Sequence, residues 1–361
     1  LLQVRKITLN NNINKSFSKK LDNELKKIEI KILPKFKRDR KISGKSTIFG
    51  QMPDWNPVEM IGKHPSKLAY SLYSEIITKK TWAQARKVMG YKDLSNYNLM
   101  TSFGGQPFID VRLSLNSFLP NNLKKKISEK MINHSIKKLT LNPMYHDKIE
   151  FDIAMTSYSF DFEKKFKNIY GNTLNKVEKK SFEDEIKKLT IKNVNITEFS
   201  SLKKALVDIE KLKTIHSIDK KYNVYDLKKI ISECKKYGTL PFSILARHAF
   251  IATDLLNSLY SKKILTKNDI ENFHSSLNSI TSQMLEDANN LSKKVFLTKY
   301  GHLRPGTYDI KSTRYDKLKR FNIDKKSLLI KSKKFVLDNK KKLKIKKLIK
   351  KNNFKLKSAD E

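Results

Sequence analysis

His302, Arg304, Asp309 and Arg314 fall close together in the segment Lys299–Asp316, where Gly301, Pro305 and Gly306 give the punctuation of a shaped loop leaving a helix. Loops of this kind carry ligand contacts on an otherwise rigid scaffold. The two guanidinium groups suit recognition of phosphate or carboxylate. His302 suits proton transfer near neutral pH, and Gly306 allows close approach of a ligand to the backbone.

Other clusters offer chemistry too. In the stretch Ser102–Phe118, Phe108, Asp110 and Arg112 alternate with Ile109, Val111, Leu113 and Leu115. Period two predicts a strand with one apolar face, and it aims Asp110 and Arg112 the same way. On a cleft wall Arg112 would take a carboxylate or phosphate through two parallel hydrogen bonds, with Asp110 orienting it. On an outer wall the two make a surface ion pair, and the pattern leaves both open. Arg247 and Asp254 stand seven apart in an apolar stretch. Burying such charges costs on the order of several kcal/mol each, so they form a structural ion pair or the wall of a pocket.

His146 precedes Asp147, Glu150 and Asp152. A histidine bonded to a carboxylate can act as a general base, although a His-Asp pair also suits a plain turn. With one imidazole and no second ligand at metal-binding spacing, no metal site is expected. Trp55 lies between two prolines as a loop anchor, packed on the core or against a ligand, and Asp54 and Glu59 could serve as acceptors for a hydroxyl, although their spacing does not demand it. Gly44-Lys45-Ser46-Thr47 mimics the end of a phosphate-binding loop, but Asp39 occupies the position of the earlier glycine and no strand precedes it. That nucleotide site is rejected.

These residues need elements to hold them. Residues 10 to 33 place Leu21, Leu25, Ile28 and Ile32 on one helical face, a connector that ends at Pro34. Leu68, Leu72, Ile76 and Ile77 predict a helix within 66 to 89. Gly104-Gly105 predicts a hairpin turn. A second strand is expected over 148 to 160, with Ile149, Phe151, Ile153 and Met155 on one side. Beyond Phe162 the pattern is helical near 180 to 190, 198 to 214, 225 to 237, 242 to 262, 267 to 298 and 325 to 351. The expected class is α+β, predominantly α-helical with a small antiparallel sheet.

The 361 residues, 39% hydrophobic with 19 Phe and 14 Tyr, are enough to bury a core and to divide into two or so domains. The formal charge of +40 invites polyanion binding. Only nine of the 76 basic residues are arginines, however, whereas base readout leans on the guanidinium fork. Lysines scattered over solvated faces account for the charge, and nucleic acid is not the expected partner. A single cysteine, Cys234, excludes an internal disulfide and fits a reducing, cytoplasmic compartment. The most apolar stretch, 240 to 260, contains Arg247, His248 and Asp254, so no membrane partner is expected. Opening on Leu1-Leu2-Gln3-Val4-Arg5, without an initiating Met, the chain reads as a fragment.

Several of these stretches together resemble phosphoenolpyruvate synthase and pyruvate phosphate dikinase-like phosphotransferases, the group that includes rifampin phosphotransferase. Leu1–Thr8 is similar to the last strand of their ATP-grasp domain, with Lys6 in place of the usual proline. The runs GQMPDWNPVEMIG, SFGGQPFIDVRLSLNSF, GTLPFSILARHAF and KYGHLRPGTYDI resemble their central substrate-binding domain over roughly Ser46 to Asp316. Leu303 and Thr307 depart from the family's versions of the last run.

The resemblance implies 1–9 as an ATP-grasp remnant with Gln3 and Arg5 toward the nucleotide, and 10–45 as connector and linker. It further implies 46–320 as the acceptor domain, with its sheet-containing part to about 162, and 321–361 as a lysine-rich linker. It implies an acceptor site at Asp110, Arg112, His146, Arg247, His302, Arg304, Gly306 and Arg314 for a small anionic or polyhydroxylated molecule. ATP and Mg would serve the complete protein, through ATP-grasp and phosphohistidine domains in cis or in trans. This region alone would bind neither and would not complete a catalytic cycle. The rival readings are a basic nucleic-acid-binding protein, in which the charge is the function, and a separate non-catalytic scaffold subunit.

Overall fold

Two consecutive glycines set the sheet. In the computed structural model, described for residues 22–24, 26–27, 29–30, 34–35, 39–215, 223–277, 279–304, 313–318 and 335–355, Gly104 and Gly105 take φ values of 56° and 79°. A two-residue hairpin turn of this type demands that left-handed pair. It joins β2 (Met100–Phe103) to β3 (Gln106–Asp110), and β1 (Phe49–Gly50) pairs with the other edge of β3, so the antiparallel order is β1-β3-β2. Phe108 faces Thr101, and Asp110 faces Phe49. The rings of Phe49, Phe103 and Phe108 pack edge to face on the sheet.

The expected strand stops at Asp110. There the chain turns into a helix, Val111–Ser117, because the Asp110 carboxylate accepts the N–H of Leu113 at 3.1 Å and caps its first turn. All seven residues of this helix are buried, so the alternation that suggested an exposed strand face has no exposed face to serve. The strand expected over 148 to 160 is also absent. Ile149–Ile153 forms a wide π-helical turn, and only afterwards, at Ala154, does the backbone extend. Burial follows a spacing of four, with Ile149 and Ile153 enclosed and Phe151 36% exposed, whereas period two would have buried all three.

The remaining elements are helical. The first unit carries α1 (Pro57–Ile61), α2 (Lys67–Tyr73), α3 (Thr81–Met89), α4 (Val111–Ser117), α5 (Lys125–Leu141), α6 (Phe162–Tyr170), α7 (Lys176–Val194), α8 (Ser201–Ile215) and α9 (Leu227–Glu233). Its bounds run to Val58, then Lys63–Tyr158 and Phe162–Ile251, so α1 ends outside it and α10 (Leu240–Ser261) starts within it. Helix α5, which the lysine-rich pattern conceals, buries Ile127, Met131, Ile132, Ile136 and Leu139. Phe162, Phe166, Tyr170 and Phe182 stack into an aromatic column across α6 and α7.

The second unit takes Glu59–Gly62, Ser159–Asp161 and the chain from Ala252. The helical run expected over 267 to 298 is three helices here: α11 (Lys267–Ser276), α12 (Ile280–Asn290) and α13 (Lys293–Tyr300). Each opens on its own cap, Thr266, Ser279 or Ser292, and the hydroxyl that starts one helix ends the continuity of the last. Helix α14 (Asn339–Lys351) follows. The strand at 1–9, most of the connector and the tail between 319 and 334 lie outside the described residues.

Candidate functional site

Asp54, Trp55 and Asn56 are three successive non-glycine residues with left-handed φ values of 49°, 57° and 31°. Each such position costs on the order of 1–3 kcal/mol and persists only where its surroundings hold it. Arg86, from α3, holds this one. Its terminal nitrogens donate to Asp54 Oδ2 at 2.8 Å and Oδ1 at 2.6 Å, and Ser114 Oγ donates to Oδ2 at 2.7 Å. The Tyr73 hydroxyl donates to the Trp55 carbonyl, and the Trp55 ring leans on Phe242 with centroids 6.0 Å apart. Burial, with the Asp54 charge adding to it, pushes the Tyr73 phenol far above its ordinary value, so it stays a donor.

The ion pair is enclosed, with side-chain exposure of 3% for Arg86 and 4% for Asp54. Ser117 Oγ also accepts from Arg86 and hands its own proton to the Ser114 carbonyl at 2.5 Å. Thus Ser114 and Ser117, three apart on α4, present one face to the pair. Arg112 and Asn116 lie on another, where Asn116 ties the Ser43 backbone through both its amide groups at 3.1 and 2.8 Å.

Phe118, just beyond α4, stands between two guanidinium groups. Arg86 Cζ lies 4.2 Å and Arg247 Cζ 5.0 Å from its ring centroid. Arg247, from α10, is paired to Glu150 at 3.1 Å, an acid that the π-helical turn Ile149–Ile153 aims inward. Burial works against the charge of Arg247, but Tyr91, Glu150 and Asp54 outweigh it and hold the guanidinium above the ordinary arginine value. Among the described residues five enclosed guanidinium nitrogens have no hydrogen-bond partner: Nε of Arg86, Nε and Nη1 of Arg112, and Nε and Nη2 of Arg247. Buried donors are normally paired. Here three arginines, each 3% exposed or less, keep spare N–H groups.

The expected site residues fare unequally. Asp110 and Arg112 do not share a strand face; Asp110 ends β3 and accepts from Thr47 Oγ1 at 2.6 Å, and Arg112 is buried in α4. Burial raises the Asp110 pKa, against the opposing hydrogen bonds of Thr47 and Leu113. His146 is half-buried and caps the end of a short 3₁₀ turn, its Nδ1 2.8 Å from the Pro143 carbonyl. Among the described residues no carboxylate bonds to it, so the His–carboxylate pair expected of a general base is not formed there. The acid placed against Arg247 is Glu150, which the sequence pairing with Asp254 did not indicate.

His302, Arg304 and Arg314 belong to the second unit and are exposed, and Arg314 clasps Asp316 at 3.1 and 2.6 Å. Backbone bonds from Tyr315 to Leu303 (2.9 Å) and from Asp316 to Gly301 (3.1 Å) tie the two ends of this segment together. Gly306, like Gln3 and Arg5, lies outside the described residues. Arg86, Ser114, Ser117 and Phe118 were not foreseen. The available signal was Arg86 itself, an arginine four residues after Trp82 on the buried side of α3, in a chain that uses lysine almost everywhere else.

Three hollows on the surface lie elsewhere. Of about 520, 400 and 230 Å³, they are lined respectively by residues around Lys167 and Lys176, by Lys45 with Asn133 and Lys137, and by Pro120 with Lys188. None of the three contains Arg86, Arg112 or Arg247. No family model, no curated protein and no solved structure matches the chain.

Proposed function

We propose that the chain is the central acceptor-binding region of a phosphoenolpyruvate synthase-like phosphotransferase, in which a phosphohistidine on another domain delivers its phosphoryl group to a small acceptor. The observation that carries this reading is the set of enclosed guanidinium N–H groups without acceptors on Arg86, Arg112 and Arg247. An anionic acceptor admitted to these enclosed groups would supply the oxygens those donors lack, in a setting where charge-assisted hydrogen bonds are strong. Cations fixed before the reaction also stabilise the charge on a phosphoryl group in flight. The strained turn Asp54–Asn56 beside them fits a site in which backbone geometry is held at a cost. The segment with His302, Arg304, Gly306 and Arg314 enters on its sequence resemblance alone.

Among the described residues no three imidazole, thiol or carboxylate groups gather as a metal cluster. Mg and ATP are assigned to other domains of the complete protein on the sequence resemblance alone, and no step here runs through them.

Calorimetry with phosphoenolpyruvate, pyruvate and inorganic phosphate tests the reading. Binding of at least one is expected, and Arg247→Lys and Arg112→Lys, which keep charge but lose the planar fork, should weaken it by tenfold or more while near-ultraviolet circular dichroism stays unchanged. Absence of binding by all three, or affinities that neither substitution alters, overturns it.

A further inference from the structure

Helix α14, Asn339–Lys351, carries eight lysines in 13 residues and no acidic residue. Lys340, Lys344, Lys347 and Lys351 recur at spacings of four, three and four, which places them along one ridge, about 16 Å long at 1.5 Å per residue. Like charges at these spacings oppose helix formation. The opposite side holds the helix down: Ile345 and Ile349 are buried at 7% and 8% exposure, and Lys341 pairs with Asp269 at 2.9 Å. Lys341 thus anchors the helix on that side. Lys340, Lys344, Lys346, Lys347, Lys350 and Lys351 are exposed and form no ion pair among the described residues.

Within that lysine face sits one apolar side chain. Leu343, three residues after Lys340 and four before Lys347, is 57% exposed. No arginine or aromatic side chain of α14 accompanies it, and Asn339, one turn before it, is the face's single amide, so the face has nothing on which bases could stack and one short side chain with which to read a base edge. A leucine ringed by lysines suits a surface that is anionic outside and apolar just beneath. We propose that α14 is a docking face for anionic lipid headgroups, with the lysines on the phosphates and Leu343 dipping between them. Such contact needs no spanning helix, and it revises the expectation that composition alone gave of no membrane partner. Clusters of four to eight lysines on a helix bind anionic bilayers in this way, each lysine contributing about fivefold in affinity at moderate salt.

The full chain is sedimented with vesicles of neutral phosphatidylcholine, or of phosphatidylcholine with phosphatidylserine, and separately titrated with a short duplex DNA. A variant with Lys340, Lys344, Lys347 and Lys351 all changed to Gln should lose about two to three orders of magnitude in affinity for the anionic vesicles. A control with the exposed Lys63, Lys126, Lys167 and Lys262 changed to Gln has the same net charge and should lose less than tenfold. Leu343→Ser, which leaves the charge intact, should weaken vesicle binding severalfold. Equal losses in the two lysine sets, no binding to anionic vesicles, or tighter binding to the duplex than to the vesicles through the same four lysines would each overturn the proposal.

Discussion

The two units handle cations in opposite ways. In the first, Arg86, Arg112 and Arg247 are enclosed, and two of them bracket one phenylalanine ring and are held by acids that are themselves buried or nearly so. In the second, Arg314 and its partner Asp316 stand at the surface, 43% and 29% exposed, and α14 turns its unpaired lysines to solvent. A guanidinium sheds its hydration more easily than an ammonium and offers five fixed donors, which is why the cations enclosed in the first unit are arginines while lysines cover the outside. The difference teaches that charge in this chain has two tasks, one set by fixed geometry and one by accessible surface.

The sharpest way to break the comparison is to remove one acid from each unit. Asp54→Ala leaves the enclosed Arg86 without its bidentate partner, a loss expected to cost about 3–5 kcal/mol. Asp316→Ala removes the partner of an exposed arginine and should cost about 0–1 kcal/mol. Both tryptophans, Trp55 and Trp82, lie in the first unit. Their fluorescence during urea unfolding therefore reports that unit directly, and far-ultraviolet circular dichroism reports the whole. Equal costs for the two substitutions would erase the distinction.

Much of the first unit's frame is legible in the chain. Gly104-Gly105 dictates a hairpin because only glycine takes two adjacent left-handed positions freely, and the apolar run from Leu240 forms a long helix as its pattern requires. The site itself was hidden. Asp110 looks like a strand residue by alternation, yet its carboxylate doubles as a helix cap, and local capping overrides the period. Likewise Glu150 reaches Arg247 only because a π-helical turn replaces a strand, and nothing in the spacing of Ile149, Phe151 and Ile153 announces a turn of that width. Asp54 was visible as an acceptor, but its partner Arg86 is 32 residues away, and long-range pairing of this sort leaves no periodic trace.

A smaller effect sharpens the comparison from the second unit. Gly301 closes α13, and a methyl group there would fall 2.2 Å from the Leu297 carbonyl oxygen and 2.9 Å from Asp316 Cβ. Its φ is an ordinary −59°, so the demand is for space and not for an unusual backbone. Gly301→Ala should cost about 1–3 kcal/mol, the usual scale of overpacking, and should free the bond from the Asp316 amide to the Gly301 carbonyl. Faster hydrogen exchange at Asp316 and in the last turn of α13, with tryptophan fluorescence unchanged, is the expected signature. Unchanged exchange would mean that the tie between the two ends of this segment is dispensable.

The smallest effects are electrostatic: in both units stability rises with pH, but in different windows, acid in the second and alkaline in the first. Asp269 is held down to about 2, mainly by the Lys341 ammonium and then by the Thr266 amide. A carboxylate whose pKa is depressed on folding stabilises the fold above its unfolded value near 3.9 and loses that contribution as pH falls toward about 2. In the first unit Lys92 is lowered to about 8, chiefly by burial, with Glu129 opposing. A lysine depressed on folding binds its proton more weakly in the native state, so stability rises as pH climbs from about 8 to the unfolded value near 10.4. Asp269→Asn should therefore flatten the acid limb of the second unit, by an amount on the scale of an exposed pair, about 0.2–1 kcal/mol. Lys92→Met should flatten the alkaline rise of the first, seen in urea midpoints by tryptophan fluorescence between pH 7 and 10. If Lys92→Met leaves that rise intact, burial of the ammonium is not its source, and the first unit's tolerance of enclosed positive charge rests on its arginines alone.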